Sequence, residues 1–97
     1  MIKRIVKLTF QEDKVNDFIK IFEKSKSKIK ANKGCHHVEL LQVMKDSNIF
    51  FTFSIWDDEA ALNNYRHSLL FEKVWAETKA LFSDKPEAWS VQLIDQG

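Results

Sequence analysis

The segment from Ile49 to Trp75 constrains this chain more than any other. Ile49 to Trp56, IFFTFSIW, reads as a strand whose apolar residues (Phe50, Phe51, Phe53, Ile55 and Trp56) fall on both faces. Such a strand expects cover on both faces. It runs straight into an acidic helix start, where Asp57 or Asp58 can cap a first helical piece. That piece stacks Ala61 over Tyr65 and breaks near His67-Ser68. Ser68 can cap a second piece, which aligns Phe71, Val74, Trp75, Thr78, Leu81 and Phe82 at helical spacing. Trp56, Tyr65, His67 and Trp75 therefore gather where a sheet edge meets two helices, as the wall of a pocket.

The remaining elements follow from periodicity. Ile2 to Phe10 is a strand with Ile2, Val6, Leu8 and Phe10 on one side, Arg4 aside, and Lys3, Lys7 and Thr9 on the other. Gln11 to Asn32 reads as a helix striped by Val15, Phe18, Ile19, Phe22 and Ile29, and Gly34 follows as a residue able to take a left-handed φ. Cys35 to Met44 is the second strand, joined to the third by Lys45-Asp46-Ser47-Asn48. After Pro86, Ala88 to Ile94 is the fourth strand, with Trp89, Val91 and Leu93 on one face.

The order β-α-β-β-α-β, with right-handed crossovers, places both helices on one face of a four-stranded sheet. The other face is left bare. No third helix is available, so the cover expected for it is a second copy of the same sheet in a two-fold homodimer.

Bulk properties narrow the function classes. A chain of 97 residues without a dividing linker is expected to form one domain over 1–97. A net charge of +1 argues against nucleic acid or membrane-surface partners. One cysteine, Cys35, allows no internal disulfide and suits a reducing compartment. The first strand carries Lys3, Arg4 and Lys7, so it does not read as a secretory leader, and no run approaches the roughly 20 apolar residues that span a bilayer. The expectation is a cytoplasmic protein.

Chemistry-bearing residues are few. His36 and His37, as strand neighbours, point to opposite faces and cannot share one metal. Cys35 and His37 are expected on one face, but two ligands are half a zinc site, so no metal is expected. Cys35 lacks any arrangement that would activate its thiol. His67 could serve as a general base, or could be exposed and bonded to a helix-end carbonyl. Trp56, Tyr65 and Trp75 suit a flat aromatic ligand, with Asn64, Arg66 and His67 as polar neighbours to orient it. The plainer reading of those rings is core packing.

The passages FTFSIWDDEAALNNYRHSLLF and PEAWSVQL, and almost the whole length from IKRIVKLTF to AWSVQLI, resemble the antibiotic biosynthesis monooxygenase superfamily. That resemblance implies an α+β, ferredoxin-like βαββαβ fold with an antiparallel four-stranded sheet, helices on one face, and a dimeric α/β barrel. Haem-degrading members of the superfamily are similar around NNYRHSLLFEKVW. They have a tryptophan at the position of Tyr65, the haem-ligating histidine at that of Trp75, and a first-strand asparagine near Val6. None of the three is kept, so no axial iron ligand is expected. The histidine pair of quinol-oxidising relatives falls at Tyr65 and Leu70 and is also missing.

The activity this implies is a monooxygenase without cofactor, acting with O2 on a small hydroxyaromatic or enolic substrate. His67, Tyr65 and Asn64 are the expected catalytic residues, and Trp56, Trp75, Arg66 and His37 the expected substrate-binding residues. The alternative is a non-catalytic dimeric module of the same fold that binds a small ligand.

Overall fold

A computed structural model describes residues 1–97. Four strands, β1 (Ile2–Thr9), β2 (Cys35–Gln42), β3 (Ile49–Trp56) and β4 (Glu87–Val91), form one antiparallel sheet in the order β2-β3-β1-β4. Three helices, α1 (Val15–Lys30), α2 (Glu59–Arg66) and α3 (Leu69–Lys79), connect them. The central pair β1 and β3 runs in register from Ile2 opposite Trp56 to Thr9 opposite Ile49. This is the ferredoxin-like α+β topology.

Local chemistry accounts for the element ends. Asp58 caps α2 by accepting from the Ala61 amide at 2.9 Å, and Ser68 caps α3 by accepting from the Phe71 amide at 3.1 Å. Two caps ten residues apart are why the helical region is two pieces rather than one. Gly34, at φ +85°, turns the chain from α1 into β2. A Cβ there would lie 2.6 Å from the Ala61 Cβ, so the glycine also lets β2 approach α2.

Several expected boundaries move. Glu12–Lys14 forms a separate 3-10 turn before α1. β1 stops at Thr9, because Phe10 makes an isolated bridge with Phe82 and its carbonyl accepts from Asn48 Nδ2 (3.1 Å) and Ser83 Oγ (3.0 Å). Leu81 and Phe82 lie beyond the end of α3, and the chain there is clamped to the end of β1. β4 ends at Val91, where its pairing partner on β1 has reached Lys3, so Leu93 and Ile94 fall outside the sheet.

The helix-covered face of the sheet carries the even-numbered residues of β1 and β3. Its core is split in two. Leu8, Phe10, Phe18 and Phe50 pack at one end, and Ile29, Trp56 and Leu62 at the other. Between them the same face carries Arg4 and Val6 on β1 and Thr52 and Ser54 on β3. The opposite face lies open. It presents Ile5, flanked by Phe53 on β3 and Trp89 on β4, together with Phe51, Ile55, Leu41 and Val91. Trp89 and Leu41 remain 45% and 47% exposed. Exposed apolar side chains of that size on a sheet face are costly in water, at roughly 25 cal/mol per Å² of apolar surface.

Candidate functional site

The gap in the core is a cavity of about 330 Å³, enclosed by the sheet below, α1 on one side and α2 and α3 on the other. Small or polar side chains open it. Ser25 on α1 and Thr78 on α3 turn their hydroxyls back to their own helices, donating to the Ile21 and Val74 carbonyls at 2.7 Å each. Ser54 accepts a 2.9 Å hydrogen bond from Trp56 Nε1, which fixes the indole as an end wall. Trp56 is fully buried. A second depression, about 590 Å³, lies over Trp75, Lys79 and Phe82–Pro86, but it is a solvent-open dish of mostly polar chain.

An aromatic file runs along the helical wall. Tyr65 stacks on Trp56 with centroids 5.1 Å apart, Phe71 meets Tyr65 edge-on at 5.3 Å, and Trp75 stacks on Phe71 at 5.8 Å. Offset stacks and edge contacts of this kind hold rings in fixed orientations. Burial, with a smaller contribution from nearby Cys35, pushes the Tyr65 phenol up to about 12. Tyr65 is therefore a neutral hydrogen-bond donor and acceptor at physiological pH. Burial also raises the Cys35 thiol, which leaves it un-ionised and unsuited to nucleophilic work.

Of the seven residues picked out in sequence, Trp56, Tyr65, Arg66 and Trp75 line the cavity. The other three stand off its wall. His67 is exposed at the end of α2 and its Nδ1 donates to the Asn63 carbonyl at 2.7 Å, the helix-end role weighed against the base role. Asn64 is exposed on α2. His37 lies across the sheet on the open face, bonded to Glu39 and edge-on to Phe53.

The expectation that Cys35 and His37 share a face is corrected by a bulge. Cys35 pairs with Trp56 and His37 with Ile55, so the extra residue His36 turns the two side chains to opposite faces. His36 itself is bonded to Asp57. No group of three His, Cys, Asp or Glu is placed to hold a metal ion.

Sequence reasoning passed over Arg4, which stands in the middle of the cavity floor and donates from Nη1 to Ser90 Oγ at 3.0 Å. The signal was present: it is the one charged residue at the even, core-facing positions of β1. Burial, and secondarily the charge of Arg66, pulls its pKa below the usual guanidinium value.

A ferredoxin-like α+β domain whose helices and sheet enclose a ligand-sized, aromatic cavity is the class of protein these features define. No protein of curated function matches the sequence. The sequence model of the antibiotic biosynthesis monooxygenase family matches residues 1–77, and the chain belongs to that family.

Solved structures agree on the fold. One, an antibiotic biosynthesis monooxygenase, superposes with a TM-score of 0.92 at 17% identity, covering 98% of this chain and 100% of that one. A conserved protein from Methanosarcina mazei Go1 gives 0.89 at 18% identity, covering 94% and 90%. A variant of SnoaB, a cofactor-independent oxygenase from Streptomyces nogalater, gives 0.87 at 15% identity, covering 98% and 94%. At such identities the likeness speaks for the fold alone.

Proposed function

We propose that this protein is a cofactor-independent monooxygenase that binds a small hydroxyaromatic or enolic substrate in the cavity between helices and sheet and oxidises it with O2. The observation that carries the reading is the cavity itself, partly open to solvent, walled by the Trp56, Tyr65, Phe71 and Trp75 rings and held open by small residues. At about 330 Å³ it sits at the lower end of the ~300–1,000 Å³ common for ligand sites, which suits one or two fused rings. Membership of the monooxygenase family supports the same reading.

In this reading Trp75 flanks the substrate rings, the fully buried Trp56 holds the Tyr65 ring in place from behind, and the Tyr65 hydroxyl bonds the substrate hydroxyl. The bound phenol or enol gives its proton to solvent water, aided by the positive charge of Arg4 and Arg66. The anion gives an electron to O2, the pair recombines at a carbon that bears hydrogen, the peroxide takes a proton back from water, and loss of water leaves a carbonyl. One oxygen atom enters the product and the other leaves as water, so no external reductant is needed. The chain contributes binding, water exclusion and stabilisation of the anion. Contact with substrate is assigned to residues on the wall, and not to His67 or Asn64. A drop of roughly 10²–10⁴ in the rate of His67→Ala, the size of a lost general base, would return that role to His67.

The assembly proposed with this activity is a homodimer closed over the open sheet face, which would bury the Ile5, Phe53 and Trp89 row. No helix is long and apolar enough to cross a membrane. With its single free thiol, the protein is assigned to the cytoplasm, where cell fractionation should recover it.

Oxygen uptake over a panel of dihydroxyaromatic compounds tests the activity. The expected outcome is consumption of one O2 per substrate by the metal-free protein. A second reading, a non-catalytic module that binds the same ligands, is favoured by one observation: the cavity wall carries no His, Asp or Glu to act as a base. Tight binding across the panel with no oxygen uptake would establish that reading instead.

A further inference from the structure

The chain has only two arginines, Arg4 and Arg66, against thirteen lysines. Both arginines line the cavity, and no lysine, aspartate or glutamate does. They reach it from different elements. Arg4 rises from β1, one of the two central strands, between Ser54 on β3 and Ser90 on β4, and Arg66 is the last residue of α2.

Neither has a carboxylate partner. The ion pairs of the molecule are Lys7 with Glu87, His36 with Asp57, and His37 with Glu39. Of the five N–H groups on each guanidinium, the only one bonded to protein is the Arg4 donor to Ser90. The two positive charges nevertheless line the same mostly apolar space: Arg4 is partly withdrawn from water while Arg66 stays exposed, and the charge of Arg66 makes that of Arg4 costlier to hold. A guanidinium taken partly out of water without a counter-ion is unfavourable, and a like charge beside it adds to that cost. Lysine would serve as well for a solvated surface. Arginine's planar fork is suited to gripping two oxygens of one group.

We propose that the ligand of this cavity carries a carboxylate, clamped between Arg4 and Arg66, with its ring system lying against Tyr65 and Trp75. This rests on the cavity being a ligand site, as argued under the proposed function, and adds the substrate class: a small aromatic or enolic acid. A single delocalised charge suits an apolar chamber better than a phosphate dianion. The wall also offers no glycine-rich backbone nest, since Gly34 and Gly97 lie elsewhere.

Calorimetric titration of the purified protein with naphthoate, naphthamide and naphthyl phosphate tests the clamp with inert probes. Naphthoate is expected to bind at least about tenfold tighter than its neutral amide, the size of one or two charge-assisted hydrogen bonds, with the advantage shrinking as salt is added. Arg4→Gln and Arg66→Gln should each narrow the acid-to-amide ratio to within about threefold, and Arg66→Lys should restore part of it. Equal affinity of naphthoate and naphthamide for the unaltered protein would overturn the clamp while leaving the aromatic cavity in place. Tighter binding of naphthyl phosphate than of naphthoate would overturn the carboxylate. No heat from any of the three would overturn both the clamp and the ligand site.

Discussion

The Tyr65 ring lies on the Trp56 indole, centroids 5.1 Å apart and planes 21° from parallel, and this contact takes the only tyrosine of the chain out of water. Because there is one tyrosine, its ionisation can be followed alone by the absorbance of the phenolate. The folded protein should titrate near 12, where an exposed phenol would titrate near 10. The sign of the linked stability follows. A pKa raised on folding adds stability that is complete below pH 10 and is lost as pH climbs through 12, a total of about 3 kcal/mol. Denaturant midpoints should therefore fall between pH 10 and 12, and Tyr65→Phe, which keeps the stack, should flatten that part of the profile. A titration step at 10 in the folded protein would mean that the stack opens to solvent.

Ile5 sits between Phe53 and Trp89 on the uncovered side of the sheet, and its neighbours Phe51, Ile55 and Val91 widen the patch. A sheet face of this composition is expected to pair with its own copy, since a two-fold axis brings identical patches together. Sedimentation equilibrium should give a dimer at micromolar concentration. Phe53→Glu should shift it to monomer and lower the melting temperature, because a buried unpaired carboxylate in each protomer opposes closure. A wild-type monomer would remove the dimer and leave the helix-side cavity untouched.

Gly34 holds two constraints at one position. Its φ of +85° is a conformation that side chains with a Cβ rarely take, and that Cβ would meet Ala61 at 2.6 Å. Strain of roughly 1–3 kcal/mol is expected from the backbone alone, and the clash adds to it. Gly34→Ala should thus destabilise the protein by at least about 2 kcal/mol in urea unfolding. Gly34→Ala combined with Ala61→Gly should recover the part due to the clash and none of the part due to φ. Full recovery in the double variant would show that the left-handed backbone costs nothing here.

Much of this arrangement was legible in the residues. The period-2 pattern of Ile2, Val6, Leu8 and Phe10 gives the core face of β1, and the capping chemistry of Asp58 and Ser68 gives the two-piece helix. Four of the seven residues chosen for the site reach the cavity, because Trp56, Tyr65, Arg66 and Trp75 stand on elements whose inward faces follow from periodicity. His67 does not, since the position where a helix ends leaves the direction of its last side chains to the following turn. The bulge at His36 was invisible for a different reason: strand register depends on the partner β3, which no local pattern reports. Arg4 was set aside as an exception to an apolar stripe. In three dimensions it lines up with Thr52 and Ser54 on β3 and with Ser25 on α1, and that row of interruptions is the cavity.

Ser25 offers the most direct control over that space. It is buried at 7% exposure, its hydroxyl serves only its own helix through Ile21, and its side chain faces the cavity from α1. Leucine at this position adds apolar volume where the core is interrupted and removes a buried hydroxyl that contributes nothing between elements. Filling a natural cavity in this way commonly stabilises by about 0.5–2 kcal/mol. Ser25→Leu should therefore melt a few degrees higher than the natural chain while its affinity for an aromatic acid falls by at least about tenfold. The two changes have a common cause: a chamber kept open for a ligand is apolar surface the protein leaves unfilled. If Ser25→Leu bound the acid as tightly as before, measured by the same calorimetry, the ligand would have to sit somewhere other than between these helices and the sheet.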